Sequence, residues 1–194
     1  MKICIFGAAS AHIDDKYIKA VESLGEKLAE KGHSLVFGAG ATGLMGAAAR
    51  GFKKGGGEVC GVIPEFFRDE CIEAIYDGCD KLVYTKTMSE RKAEMENRAD
   101  AYIIVPGGIG TFEEFFEVLT LKQLGRHSKA IAIYNIAGYY DELEKFMQTV
   151  TERKFITFKC SEMYSYFDGE DKLVEYLENY VPDETPWHKL KIGD

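Results

Sequence analysis

The uninterrupted apolar run Ala101-Tyr102-Ile103-Ile104-Val105, closed by Pro106-Gly107-Gly108-Ile109-Gly110-Thr111, constrains the fold more than any other segment. Apolar residues in succession, without polar alternation, suit a central parallel strand covered on both faces. The glycine turn then leads into a helix expected to begin near Thr111. Strand, turn and helix form half of a βαβ unit, so the same alternation is expected along the rest of the chain. Further strand candidates are Lys2–Phe6, Ser34–Phe37, Glu58–Ile63, Lys81–Tyr84 and Ala130–Tyr134. Between the first two, Ile18, Val21, Leu24 and Leu28 recur at helical spacing, and Gly32 is placed to end that helix. Met163–Phe167 suggests a short edge strand, Gly169–Tyr180 a helix, and Pro182–Asp194 a tail. The pattern predicts an α/β protein: a Rossmann-like, doubly wound parallel sheet with helices on both faces, one domain over 1–181 and a tail over 182–194.

Composition narrows the partners. A net charge of −8 argues against general nucleic-acid binding, which depends on neutralising phosphates. It leaves room for a small anion held in a locally positive pocket. No apolar run approaches the ~20 residues that cross a bilayer, so no membrane partner is expected. Met1-Lys2-Ile3-Cys4-Ile5-Phe6 enters a strand directly, without a signal-peptide cleavage pattern, which predicts a cytoplasmic protein. The five cysteines, Cys4, Cys60, Cys71, Cys79 and Cys160, form no C-x-x-C pair and fit reduced thiols, with Cys4 and Cys60 as small core residues.

Three glycine-containing turns follow strands, where open α/β sheets bind ligands. Gly7-Ala8-Ala9-Ser10 after the first strand points toward the expected cleft but is also an ordinary strand-to-helix turn. Gly38-Ala39-Gly40-Ala41-Thr42-Gly43-Leu44-Met45-Gly46 contains a G-x-G-x-x-G spacing. It follows the second strand rather than the first and lacks the acidic residue that a dinucleotide ribose requires, so an NAD site is rejected. Its small residues are expected to permit close packing and close backbone approach to a ligand. Pro106–Thr111 is the informative turn. Gly107, Gly108 and Gly110 allow successive N–H groups to aim at a phosphate at a helix N-terminus, with Thr111 adding a hydroxyl and a cap. No Lys-Ser/Thr pair follows the glycines, which excludes a Walker-type site.

Glu113 and Glu114 fall in the first helical turn, where the dipole favours carboxylates in any case, and Glu113 needs no other explanation. Glu114, three residues after Thr111, shares its face and can stabilise an oxocarbenium-like centre or activate water. In Met88-Ser89-Glu90-Arg91-Lys92-Ala93-Glu94-Met95, helical spacing puts Met88, Arg91, Lys92 and Met95 on one stripe. Either the two cations cover the sheet with their stems, or Arg91 lines a cleft and addresses an anion. The four histidines show no metal-site spacing, and Arg126 and His127 read as solvated loop residues. Neither a metal nor any other cofactor is expected.

With these residues in view, the chain resembles the Lonely Guy family of phosphoribohydrolases. Pro106 to Glu114 matches the hallmark P-G-G-x-G-T-x-x-E, and Met88, Arg91 and Lys92 match M-x-x-R-K. Gly43-Leu44-Met45-Gly46, Gly61-Val62-Ile63-Pro64, Gln123-Leu124-Gly125 and Gly138-Tyr139-Tyr140 are also family-like. The resemblance implies a homodimer or larger homo-oligomer that hydrolyses a nucleoside 5′-monophosphate, AMP or a cytokinin riboside 5′-monophosphate, to free base and ribose 5-phosphate. It implies Arg91 and Glu114 as the catalytic pair, with Gly107, Gly108, Gly110 and Thr111 at the phosphate. Ser10, Met88 and Lys92 join them as nucleotide contacts. The chain departs from the family in having Ser89 where relatives often have His, Gly7-Ala8-Ala9-Ser10 for Gly-Ser-Ser, Gly38-Ala39-Gly40 for a run of glycines, and Lys154-Phe155-Ile156 for Gly-Phe-Ile. Similar sequences often carry a lysine decarboxylase label, but no site for pyridoxal phosphate is recognisable here. The rival function is a non-catalytic nucleotide-binding or cofactor-carrier module of the same fold. A protein–protein interaction module with a vestigial pocket is a third.

Overall fold

The computed structural model describes residues 1–70, 73–156 and 162–182. The strands are β1 (Lys2–Phe6), β2 (Ser34–Phe37), β3 (Val59–Pro64), β4 (Lys81–Thr85), β5 (Ala101–Ile104), β6 (Ala130–Tyr134) and β7 (Ser165–Phe167). The helices are α1 (Asp15–Glu30), α2 (Gly43–Lys54), α3 (Glu65–Asp69), α4 (Met88–Arg98), α5 (Ile109–Gln123), α6 (Asp141–Glu152) and α7 (Glu170–Glu178). The sheet order is β4-β3-β2-β1-β5-β6-β7, and each of these neighbouring pairs is parallel. The Rossmann-like, doubly wound expectation therefore holds.

Side-chain alternation along β5 shows why the sheet is covered twice. Ala101, Ile103 and Val105 join a core with Val21, Leu24 and Leu28 of α1, Ala48 and Phe52 of α2, and Leu173 and Leu177 of α7. Tyr102 and Ile104 join the opposite core with Met95 of α4, Phe115 and Val118 of α5, and Met147 of α6. Both sides of each pleat are removed from water, so polar residues have no place on this strand.

The chain winds outward from β1 through β4, then returns to β5 on the other side of β1. Ligands of open α/β sheets bind outside the strand ends at such a reversal. Phe6 pairs with Ile104, which sets the turns after β1 and β5 side by side. The Ala8 N–H donates to the Pro106 carbonyl at 3.1 Å.

Element boundaries differ from the expectations by a residue or two. Glu58 lies outside β3, β4 runs on to Thr85, β7 is shorter than predicted, and α7 ends at Glu178. Val105 leaves the ladder, although its N–H still donates to the Phe6 carbonyl at 2.9 Å. His127 is not a solvated loop residue: its Nε2 lies 2.8 Å from the Val118 carbonyl, and burial pushes its pKa down to about 4. Arg126 is exposed, as expected. Cys4 is buried, Cys60 and Cys79 are partly so, and all three are free thiols. Cys71, Cys160, His188 and tail residues 183–194 lie outside the described residues. Among the described residues no helix is long and apolar enough to cross a membrane.

Candidate active site

The turn after β5 leads into α5 with no side-chain cap. Gly108 holds the N-cap position, and Thr111 lies inside the first turn rather than capping it. Buried Thr111 presses its Oγ1 against Gly107, where a β-carbon would overlap it. That contact makes glycine necessary at 107. Gly108 and Gly110 differ: a β-carbon at either would meet nothing within 4 Å. No hydrogen bond among the described residues takes up the N–H groups of Ile109, Gly110 or Thr111. A helix N-terminus left open in this way carries partial positive charge and unsatisfied donors, the requirements of an anion site. From the far side Tyr139 braces the turn, its hydroxyl donating to the Gly107 carbonyl at 2.7 Å.

The turn borders a cleft of about 370 Å³, lined by the Gly7–Ser10 loop, Gly108, Gly110 and Thr111, with Arg91 and Glu114 among its walls. Glu114 projects from the second turn of α5, and its side chain is only 12% exposed. Burial pushes its carboxyl pKa up to about 7, against the opposing pull of the Arg91 guanidinium. Arg91 is brought across from α4 with a side chain 8% exposed. Its Nε donates to the Val62 carbonyl at 3.3 Å, and its Nη1 lies 3.8 Å from Glu114 Oε1. The last distance is an ion pair beyond hydrogen-bond reach, so neither group saturates the other. A buried cation beside a partly protonated carboxyl is suited to moving protons and to stabilising charge.

The turn after β2 supplies the space for this arrangement. A β-carbon on Gly38 would fall inside the guanidinium of Arg91. The Ala8 carbonyl fills the N-terminus of α2, accepting from Leu44 N at 2.8 Å and Met45 N at 3.4 Å. This turn was expected to pack closely and approach a ligand; the close packing serves Arg91.

The other anticipated residues are distributed unevenly. Ser10 stands exposed at the rim, its hydroxyl accepting the His12 N–H at 3.3 Å. Met88 is 39% exposed at the start of α4 and does not line the cleft. Lys92 also lies outside the cleft lining: its Nζ pairs with Glu113, and with Glu117 at 2.8 Å, tying α4 to α5. The predicted common stripe thus divides, with Arg91 and Met95 buried and Met88 exposed. Met45 of the turn after β2 also lines the cleft, and two cleft residues escaped the sequence argument: Phe67 and Glu73. Phe67 and Glu73 belong to the region between β3 and β4, which has no motif spacing. The only available signal was the Gly61–Pro64 segment just before it.

A parallel α/β sheet with an uncapped helix N-terminus and a buried Arg–Glu pair at its switch point defines the general class. Comparison with known proteins sharpens it. Residues 45–177 match a family model described as "possible lysine decarboxylase". The cytokinin riboside 5′-monophosphate phosphoribohydrolase LOG2 of Arabidopsis thaliana is 35% identical, across 100% of this chain and 90% of its own. LOG1 of the same plant is 38% identical over 99% of this chain and 92% of its own. The chain belongs to this Lonely Guy family. Among solved structures, the molybdenum cofactor carrier protein of Chlamydomonas reinhardtii superposes with a TM-score of 0.68 at 21% identity, covering 91% of this chain and 95% of that one. The molybdenum cofactor binding protein of Rippkaea orientalis gives 0.69 at 19% identity, covering 91% and 94%. At such identity the likeness concerns the fold.

Proposed function

We propose that the protein hydrolyses the N-glycosidic bond of a nucleoside 5′-monophosphate, AMP or a cytokinin riboside 5′-monophosphate, giving free base and ribose 5-phosphate. The observation that carries this reading is the convergence of Arg91 and Glu114, from two helices, on one cleft beside an open helix N-terminus. The 5′-phosphate sits on the N–H groups that open α5, where the missing β-carbons of Gly108 and Gly110 let it approach the backbone. Phosphate binding positions the anomeric carbon near Glu114. Orientation of that kind can lower a barrier by several kcal/mol.

Glu114 then accepts a proton from the attacking water, or its ionised form stabilises the oxocarbenium-like centre. With a pKa of about 7 it is partly ionised at neutral pH and basic enough to take that proton. The Arg91 charge keeps the ionised form accessible despite burial. A homodimer or larger homo-oligomer belongs to the same reading, supported by the apolar side chains of Ile109 and Phe116 exposed on α5.

The test is incubation with a panel of nucleoside 5′-monophosphates, with base and ribose 5-phosphate measured by chromatography. Equimolar release of both is expected. Tight nucleotide binding without release over hours would instead favour the carrier reading.

A further inference from the structure

We infer that Glu73 is a second catalytic carboxyl of this cleft, the acid that delivers a proton to a ring nitrogen of the departing base. This rests on the hydrolase reading above. Glu73 Oε1 is buried and has no hydrogen-bond partner among the described residues. Buried polar atoms are seldom left so, and one that borders an open cleft is set up for a ligand.

Its placement is built into the fold. Gly40 and Ile75 form an antiparallel bridge, Ala41 N donates to the Ala74 carbonyl at 2.8 Å, and Tyr76 N to the Ala39 carbonyl at 2.8 Å. These contacts clamp the segment carrying Glu73 against the turn after β2. Gly40 completes the fit: a β-carbon there would stand 2.6 Å from Glu73 Oε1.

The neighbours suit a base rather than a phosphate. Phe67 and Met45 line the cleft with Glu73, the Met45 methyl lying close to the same Gly40 position. Phe67 stacks toward the Arg91 guanidinium at 6.0 Å. Apolar surface with a single carboxyl matches a planar heterocycle with ring nitrogens. Burial favours the protonated form of Glu73, with the Arg91 charge opposing it, and Arg91 is likewise the cation acting on Glu114.

The chemistry balances. The C1′–N bond breaks with its electron pair going to the base, while a Glu73 carboxyl proton moves to a base ring nitrogen. Water oxygen bonds to C1′ and its proton passes to Glu114. Transfer of that proton through solvent then restores both carboxyl groups.

Leaving-group dependence provides the test. Wild type, Glu73→Gln and Glu73→Ala are compared on AMP and on 4-nitrophenyl riboside 5-phosphate, whose phenolate departs without a proton. On AMP, kcat of both variants is expected to fall by about 100-fold or more, with KM changed only a few-fold. On the nitrophenyl compound it should fall by less than about tenfold, which also shows that the variants are folded. Equal losses on both compounds, a change confined to KM, or no loss on AMP would overturn the acid role of Glu73 alone. A wild-type protein that releases no base from AMP would overturn the hydrolase reading and this inference with it.

Discussion

The turn after β2 and the turn after β5 are similar in composition, but a methyl group added to each would meet different surroundings. At Gly38 it would strike Arg91, at Gly40 it would stand 2.6 Å from Glu73 and Met45, and at Gly43 it would strike the Ala8 carbonyl. At Gly108 and Gly110 it would meet open space. The helices that follow differ in the same sense. The first N–H groups of α2 are taken by Ala8, whereas those of α5 have no partner among the described residues. A glycine-rich turn is therefore ambiguous in itself. Its missing side chains can make room for the protein's own groups or leave a surface for something else. Here the β2 turn makes room for Arg91 and Glu73, and the β5 turn leaves backbone donors without a partner among the described residues.

The largest test acts on the carboxyl paired with Arg91 beside the β5 turn. Glu114→Gln is expected to lower kcat on AMP by about 1,000-fold while AMP affinity, measured by calorimetry, changes only a few-fold. Undiminished turnover would remove Glu114 from the mechanism.

Gly38→Ala should follow, with kcat/KM reduced by about 100-fold as Arg91 is displaced. Its melting temperature should also drop, since overpacking a tight site costs about 1–3 kcal/mol. Thermal denaturation beside steady-state kinetics separates the two effects, and a variant indistinguishable from wild type would show that Arg91 tolerates displacement.

The ionisation of Glu114 gives a third test. Only the ionised form accepts a proton, and that form grows as pH rises through about 7, so on 4-nitrophenyl riboside 5-phosphate, whose departure needs no acid, kcat/KM should climb between pH 5.5 and 7.5. Arg91 is the chief contact lowering this pKa, so Arg91→Met should move the limb to higher pH. A rate profile flat across that range would exclude Glu114 as the base.

The smallest expected effect belongs to Gly108→Ala. With no neighbour to strike, it should change stability by less than about 0.5 kcal/mol. A methyl group in the ligand's space should nevertheless raise KM for AMP by about tenfold. If KM stayed unchanged while stability fell, the β5 turn would be an internal packing device like the β2 turn.

Much of this was legible in the chain itself. The Ala101–Val105 run demanded a doubly covered strand, and the order of apolar segments and helical stretches led to a Rossmann-like sheet. Local patterns carry such information because burial on both faces forbids polar residues at each position of a strand. Arg91 and Glu114 were also identified, since each stands inside a recognisable motif. Their 3.8 Å separation could not be read, because it depends on how α4 and α5 pack beside one another on the same side of the sheet.

Lys92 and Glu73 mark the limit of such reading. Lys92 neighbours Arg91 in sequence, but a one-residue step around a helix rotates a side chain by about 100°, turning it toward Glu113 and Glu117. Glu73 has no motif, and its position depends on backbone pairing with residues 39–41, more than thirty positions away.

Sequence by itself determined which segments are doubly buried strands and where the glycine turns fall, because these follow from local polarity, chain periodicity and residue type. Arg91 and Glu114 were paired by the motifs that carry the family resemblance. Only the tertiary structure decided which glycines face the protein and which face the cleft, and that Glu114 is buried enough to titrate near neutrality. Those properties depend on the distance between groups remote in the chain and on the water excluded from between them, neither of which a single segment encodes.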